Sequence, residues 1–523
     1  MKKLNIWKQY TKENNRKMRR SLNSKRNIIS GLVQQIIGII LPFINRTAVL
    51  WILGAEYQGL SSLFNSILSV LSMAELGLSS AIVYSMYAPI AEGNTEKVNA
   101  LLNYFKRAYL VIGTVITTLG LLLMLGLPSL IKGDIPADIN LYALYLLYLA
   151  NTTSSYFFFA YRSTVLSANQ RSDVINNVHS IIKLLSCISQ FLLLMIFRNY
   201  YAYVILIPIF TTLSNLIIAI FSKKVFLQYR PVGKLDNETR QGITKQVSGL
   251  MINKVGDVAR NSFDSIVISS MIGLITVAVY SNYYYIFSCL YNIMLIITNS
   301  MGASIGNSIA KEGQRKNYQD FKRLSFCFSW LTGWFTICLL CLYQPFMKVW
   351  TGEGLLLPEK DMILFCCYFY LINCNNIRNV YFAGNGLWWK AKHLFILEAI
   401  GNLVLNFVLG YLLGITGILL ATIITIFVFN FYSRSKLLYQ CYFTEYMVSQ
   451  FWKMHLIFMC ATLVNALVCY GTTMFIKLDG IAALMIYGVI CAMLPNVIYF
   501  LLYRKWRLFE ESLPWIKRII RVK

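Results

Sequence analysis

Apolar runs recur along the chain from Asn27 to the C-terminus, separated by short polar stretches. Each is close to the roughly 20 apolar residues that a helix needs to cross a bilayer. The pattern predicts spans over 27–53, 59–86, 106–130, 141–168, 174–197, 201–221, 247–272, 275–309, 322–346, 361–384, 391–412, 415–433, 452–476 and 480–503. The expected fold class is therefore an all-α polytopic membrane protein with about 14 transmembrane helices. Composition agrees: 57% of the 523 residues are hydrophobic and 13% are charged, a balance soluble domains rarely show.

Charge sets the expected orientation. Ten basic residues lie between Lys2 and Arg26, against the single acid Glu13. Such a run just before a span orients the chain and attracts anionic headgroups, and this accounts for the net charge of +26 without a nucleic-acid partner. With the N-terminus inside, the inner loops hold Lys223, Lys224, Arg230, Lys234, Arg240, Lys245, Lys311, Arg315 and Lys316, among others. The outer loops hold only Lys132, Arg198, Lys348, Lys360 and Lys477. Both termini are expected in the cytoplasm. The 12 cysteines are scattered, only three histidines occur, and neither a ligand spacing nor a nucleotide-binding loop is present. No metal or other cofactor is expected.

The chain repeats itself. Ser30-Gly-Leu32 returns as Ser248-Gly-Leu250, Gly38 as Gly256 and Gly54 as Gly273. Later, Arg162 matches Arg378, Asn169 matches Asn385, Ser186 matches Asn402 and Gln190 matches Asn406, all 216 residues apart. Two copies of a six-helix unit follow, entering the membrane from the same side, with a substrate site expected between them. The expected organisation is a basic segment (1–26), an N-terminal bundle (27–221), a linker (222–246), a C-terminal bundle (247–433), an accessory pair (434–503) and a basic tail (504–523).

Six basic residues fall within spans: Arg46, Arg162, Lys183, Lys254, Arg260 and Arg378. A cation at mid-bilayer costs about 2.5–3.5 kcal/mol or more, so such residues face a protein interior or a wet cavity. That many cations suit an anionic cargo. Arg162 and Arg378 occupy equivalent repeat positions without an acid in their own spans, and a guanidinium fork suits phosphate. A pair contributed by two bundles would clamp a diphosphate. Asn151, Ser155, Arg162 and Asn169 form one stripe, and His179, Lys183, Ser186 and Gln190 another. Glu398, Asn402 and Asn406 form a third. Lys254, Asp257, Arg260 and Asp264 share a helix face with alternating sign. Glu75, Asp257 and Asp264 are the candidates for proton or Na⁺ binding, because a buried carboxylate takes up and releases protons near neutrality.

The stretches Leu53-Gly-Ala-Glu-Tyr-Gln-Gly-Leu-Ser-Ser-Leu-Phe64, Ala74-Glu-Leu-Gly-Leu-Ser-Ser-Ala81, Asp264-Ser-Ile-Val-Ile-Ser269 and Val279-Tyr-Ser281 carry a resemblance. With the span order and the six-plus-six repeat, the chain resembles the polysaccharide (Wzx-type) flippases of the MOP superfamily. The resemblance implies a MATE-like pair of bundles in a bacterial cytoplasmic membrane. It further implies transfer of a polyprenyl-diphosphate-linked oligosaccharide from the inner to the outer leaflet, by alternating access coupled to a cation gradient. Arg46, Arg162, Lys254, Arg260 and Arg378 would line the cavity. Partners would be the lipid-linked oligosaccharide, the bilayer, and a polysaccharide polymerase and glycosyltransferases of capsule, exopolysaccharide or O-antigen synthesis. A peptidoglycan-precursor flippase shares this lipid diphosphate chemistry. A MATE-type drug antiporter needs an acidic cavity, whereas here mid-span cations outnumber acids. A membrane glycosyltransferase or polymerase needs a larger extramembrane loop than any in this chain, so the chain is not expected to be an enzyme.

Overall fold

The apolar runs fold as helices, and no strand occurs among the described residues. The computed structural model describes residues 2–521 except Leu76 and Lys477. Side chains are described from Asn23 onward except at 24, 74, 246, 248–250, 252–257, 259–261 and 515–521. Lys254, Asp257 and Arg260 therefore lie outside the described residues as far as their side chains are concerned.

Two compact units divide the chain, Met1–Val258 and Ala259–Lys523. The first contains α1 (Lys2–Ile52), α2 (Ala55–Leu71), α3 (Leu78–Glu92), α4 (Thr95–Met124), α5 (Leu141–Phe157), α6 (Ser163–Ala168), α7 (Ser172–Phe197) and α8 (Tyr200–Val225). In this unit α1 packs along α7, α7 along α8, α8 along α5, and α5 along α4. The boundary between the units falls within α9 (Asn237–Met271). The second unit continues through α10 (Leu274–Lys311), α11 (Gln314–Thr351), α12 (Glu359–Asn373), α13 (Asn376–Gly384), α14 (Lys392–Leu413) and α15 (Ile415–Thr425). A π-helical segment, Ile426–Arg434, leads into α16 (Ser435–Cys441), followed by α17 (Val448–Phe475), α18 (Gly480–Tyr503) and α19 (Arg507–Arg521). Helices α14 and α15 pack as a hairpin, and α17 and α18 lie on α11.

Ten helices are long and apolar enough to cross a membrane among the described residues. The other four expected spans fall on broken or charge-rich helices, which keeps a count of fourteen compatible with the fold. Span 59–86 is α2, a 3₁₀ turn (Ser72–Glu75) and α3; span 141–168 is α5, a 3₁₀ turn (Ala160–Arg162) and α6; span 361–384 is α12 and α13. The helix is not continuous through these three spans. Polar side chains bond nearby carbonyls in competition with the helix ladder. Asn373 Nδ2 donates to Phe369 O at 2.8 Å, Asn375 Nδ2 to Leu371 O at 2.8 Å, and Thr164 Oγ1 to Tyr161 O at 2.7 Å. Broken helices are tolerated in a membrane when the freed groups are satisfied in this way.

The repeat seen in the sequence reappears as matched geometry. Gly54 and Gly273 both take positive φ, 120° and 136°, where glycine alone is unstrained. Gly54 N donates to Val49 O at 3.1 Å, and Gly273 N donates to Ile268 O at 3.0 Å. Asn169 Nδ2 closes the end of α6 on Val165 O at 2.7 Å, as Asn385 Nδ2 closes α13 on Tyr381 O at 2.8 Å.

Candidate functional site: a cationic cavity and a buried carboxylate

Within the first unit, α1, α2, α5, α7 and α8 line an open cavity of about 600 Å³, in the range of small-molecule sites. Pro42 lies within α1 beside the cavity, and Asn45 and Arg46 face it one turn on. Helix α7 contributes His179, Lys183, Ser186 and Gln190 at helical spacing, and α8 contributes Thr211, Ser214 and Asn215. No carboxylate lines the cavity among the described residues.

Hydrogen bonds hold the walls in place. Asn45 Nδ2 donates to Gln190 Oε1 at 2.8 Å, and Gln190 Nε2 donates to Tyr203 O at 3.3 Å, tying α1, α7 and α8 together. Tyr148 OH bonds Ser61 Oγ and the Tyr200 hydroxyl, both at 2.9 Å, tying α5 to α2 and α8. Thr211 Oγ1 donates to Asn151 Oδ1 at 2.8 Å. Walls braced in this way hold their polar groups in fixed directions.

Of the sequence candidates, Arg46 and Lys183 line this cavity. Arg162 and Arg378 do not; each lies buried within its own unit, 4% and 1% exposed. Arg162 Nη1 donates to Tyr229 O at 2.9 Å, just beyond α8. Arg378 Nη1 donates to Asn430 O at 2.6 Å in the π-helical segment, and its Nη2 donates to Asn379 Oδ1 at 2.7 Å and to Asn430 Oδ1. Both follow the repeat-matched helix breaks by a few residues. The stripe Asn151, Ser155, Arg162, Asn169 assumed one continuous helix. It ends where Phe159 takes φ 61°, so only Asn151 and Ser155 reach the cavity.

Glu75 sits in the 3₁₀ turn after α2 and accepts from the hydroxyls of Tyr109 and, at 2.7 Å, Tyr156. In the second unit, Asp264 is 1% exposed. Its Oδ2 accepts from Tyr280 OH at 2.7 Å and from Thr422 Oγ1 at 3.4 Å, and its Oδ1 accepts from Asn406 Nδ2 at 2.7 Å. Asn402 Nδ2 donates to Thr422 Oγ1 at 3.1 Å. Asn406 Oδ1 is buried with no hydrogen-bond partner among the described residues. Asp264 thus accepts hydrogen bonds from two hydroxyls and an amide, each directing its hydrogen at the carboxylate. The third member of the α14 stripe, Glu398, instead pairs with Arg434, whose guanidinium lies over the Phe395 ring.

Sequence reading missed Asn45, Gln58, Asn65, Thr211, Ser214 and Asn215 as cavity residues. The four-residue step from Thr211 to Asn215 in an otherwise apolar run was the available signal.

No family model and no curated protein matches this chain. Its fold is nevertheless that of MurJ-like and MATE-like transporters. It is similar to the lipid II flippase MurJ in an inward closed conformation, with TM-score 0.68 and 16% identity over 91% of this chain and 98% of that one. An inward-facing multidrug resistance MATE transporter of the MOP superfamily matches with TM-score 0.59 and 14% identity over 78% and 98%. A Vibrio cholerae MATE transporter, VcmN, matches with TM-score 0.51 and 14% identity over 80% and 98%.

Proposed function

We propose that this chain flips a polyprenyl-diphosphate-linked oligosaccharide from the inner to the outer leaflet, by alternating access coupled to a cation gradient. The observation that carries the reading is the cavity of the first unit, which presents Arg46 and Lys183 and no carboxylate among the described residues. A cation-exporting site would need the opposite sign. Arg46 and Lys183 contact the diphosphate. Arg162 and Arg378 hold the chain at the two helix breaks, and Asp264 with Asn402, Asn406 and Thr422 takes the coupling proton or Na⁺. Fold similarity to a lipid II flippase supports a lipid-carried cargo, and a peptidoglycan precursor has the same diphosphate head.

The test is reconstitution in liposomes, following fluorescent polyprenyl-diphosphate oligosaccharide by its accessibility to a membrane-impermeant quencher. Wild type is expected to move the lipid, and the double variant Arg46→Gln, Lys183→Gln to lose that movement. Proton-driven uptake of a cationic dye with no lipid movement would replace this reading with the drug-antiporter one. Preference for a muropeptide-bearing lipid would place the cargo in cell-wall synthesis.

A further inference from the structure

We propose that α19 is an interfacial helix that binds anionic phospholipid headgroups at the bilayer surface where α18 ends. Its sequence, Arg507-Leu-Phe-Glu-Glu-Ser-Leu-Pro-Trp-Ile-Lys-Arg-Ile-Ile-Arg521, separates apolar from charged positions far more sharply than the spanning helices do. At helical spacing, Phe509, Ser512, Leu513, Ile516, Ile519 and Ile520 fall on one face, and Lys517, Arg518 and Arg521 fall to the other side. Trp515 falls at the border between them. A helix of this kind lies in the interface plane, with its apolar face at the boundary of headgroups and acyl chains and its cations on anionic lipid.

The first half of the helix shows where the apolar face leads. Helix α19 begins at Arg507, shortly after α18 ends at Tyr503, so it starts at the level where the chain leaves its last span. Phe509 is buried, with ring centroids 6.2 Å from Phe326 and 6.1 Å from Trp330 on α11, and 5.9 Å from Phe500 on α18. Glu511 accepts from Arg507 at 2.9 Å and pairs with Arg323 of α11 at 3.6 Å. This seat on α11 is short. Beyond Trp330 and Phe326, the same face of α11 carries Arg323, Gln319 and Lys316, and the last two are exposed. Leu513 is exposed as well. The apolar face of α19 therefore outruns its apolar partners on α11, and lipid is the apolar phase that continues them. Arg504 and Lys505, both exposed just before the helix, add positive charge to this surface. Basic residues beside an anionic leaflet each favour binding, and salt screens that attraction. A bilayer containing anionic phospholipid is the partner that satisfies both faces at once.

The experiment follows Trp515 fluorescence, taken as the difference between the full chain and its Trp515→Phe variant, in nanodiscs whose lipids are brominated near the headgroup end of the acyl chain. Wild type is expected to be quenched strongly when phosphatidylglycerol is present and weakly in phosphatidylcholine alone, and high salt should remove the difference. Lys517→Gln, Arg518→Gln and Arg521→Gln together should lose the dependence on phosphatidylglycerol, and Ile516→Gln with Ile520→Gln should lose quenching in both lipids. No quenching of wild type in either lipid places α19 in water or against protein and overturns the interfacial helix. Equal quenching in the two lipids, or a dependence on phosphatidylglycerol that survives removal of the three cations, overturns the assignment to anionic headgroups.

Discussion

Arg46 and Lys183 line a cavity whose wall holds no carboxylate among the described residues, and the proposed diphosphate contact is tested at these two positions. A hydrogen bond to a charged group contributes about 1.5–3 kcal/mol. Arg46→Gln should therefore weaken binding of a short-chain polyprenyl diphosphate roughly tenfold or more, read by titration calorimetry, and flatten its salt dependence. Arg46→Lys should restore only part of the affinity, since an ammonium cannot make the planar two-bond contact. Asp264 poses a different test. A cation that binds the folded state raises its stability by mass action. The wild-type melting temperature should rise with added Na⁺ or, for a proton site, shift with pH, while Asp264→Asn responds to neither. At this scale the stripe of α7 was legible, because His179, Lys183, Ser186 and Gln190 sit on one unbroken helix. The α5 stripe was legible only as far as Ser155, because the helix ends at Phe157.

Helix breaks, rather than helix lengths, organise the elements that matter. Arg378 sits in the first turn of α13, five residues past the end of α12 at Asn373, and bonds the π-helical segment through Asn430. Its loss leaves buried acceptors unpaired, at about 1–3 kcal/mol. Arg378→Met should lower the melting temperature of the detergent-solubilised protein, and Arg378→Lys should not rescue it, because a lysine cannot reach Asn430 O and Asn379 Oδ1 with the same rigid fork. The α14–α15 hairpin offers a second test. A Cβ on Gly417 would lie 1.9 Å from Leu409 O and 2.3 Å from Leu409 C, so the two helices approach as closely as a glycine permits. Small residues allow such approaches between membrane helices. Gly417→Ala should cost about 1–3 kcal/mol through overpacking. Because the same hairpin carries Asn402 and Thr422, it should also blunt the cation response seen in melting curves.

For the whole molecule, orientation rests on the basic residues of the expected inner loops and tail. Alkaline phosphatase joined after the last residue should be inactive in intact cells, and the same reporter placed in the loop near Glu353 should be active; the reverse pattern would invert the assigned topology. The helical fold class of the chain could be read without coordinates. Long apolar runs force helices in lipid, where every backbone polar group must be satisfied within the segment. Equal residue spacings likewise reproduce equal turns, as Gly54 and Gly273 show. What remained for tertiary structure was which polar residues meet. Asp264 meets Asn406 across 142 residues, and Asn45 meets Gln190 across 145. Neither pairing leaves a periodic signal, because each depends on how separate helices are rotated and packed. The matched arginines carry the same lesson. Their repeat positions were plain in the chain, but local breaks turned both guanidinium groups toward backbone carbonyls, and only the folded helices could show which cations line the cavity.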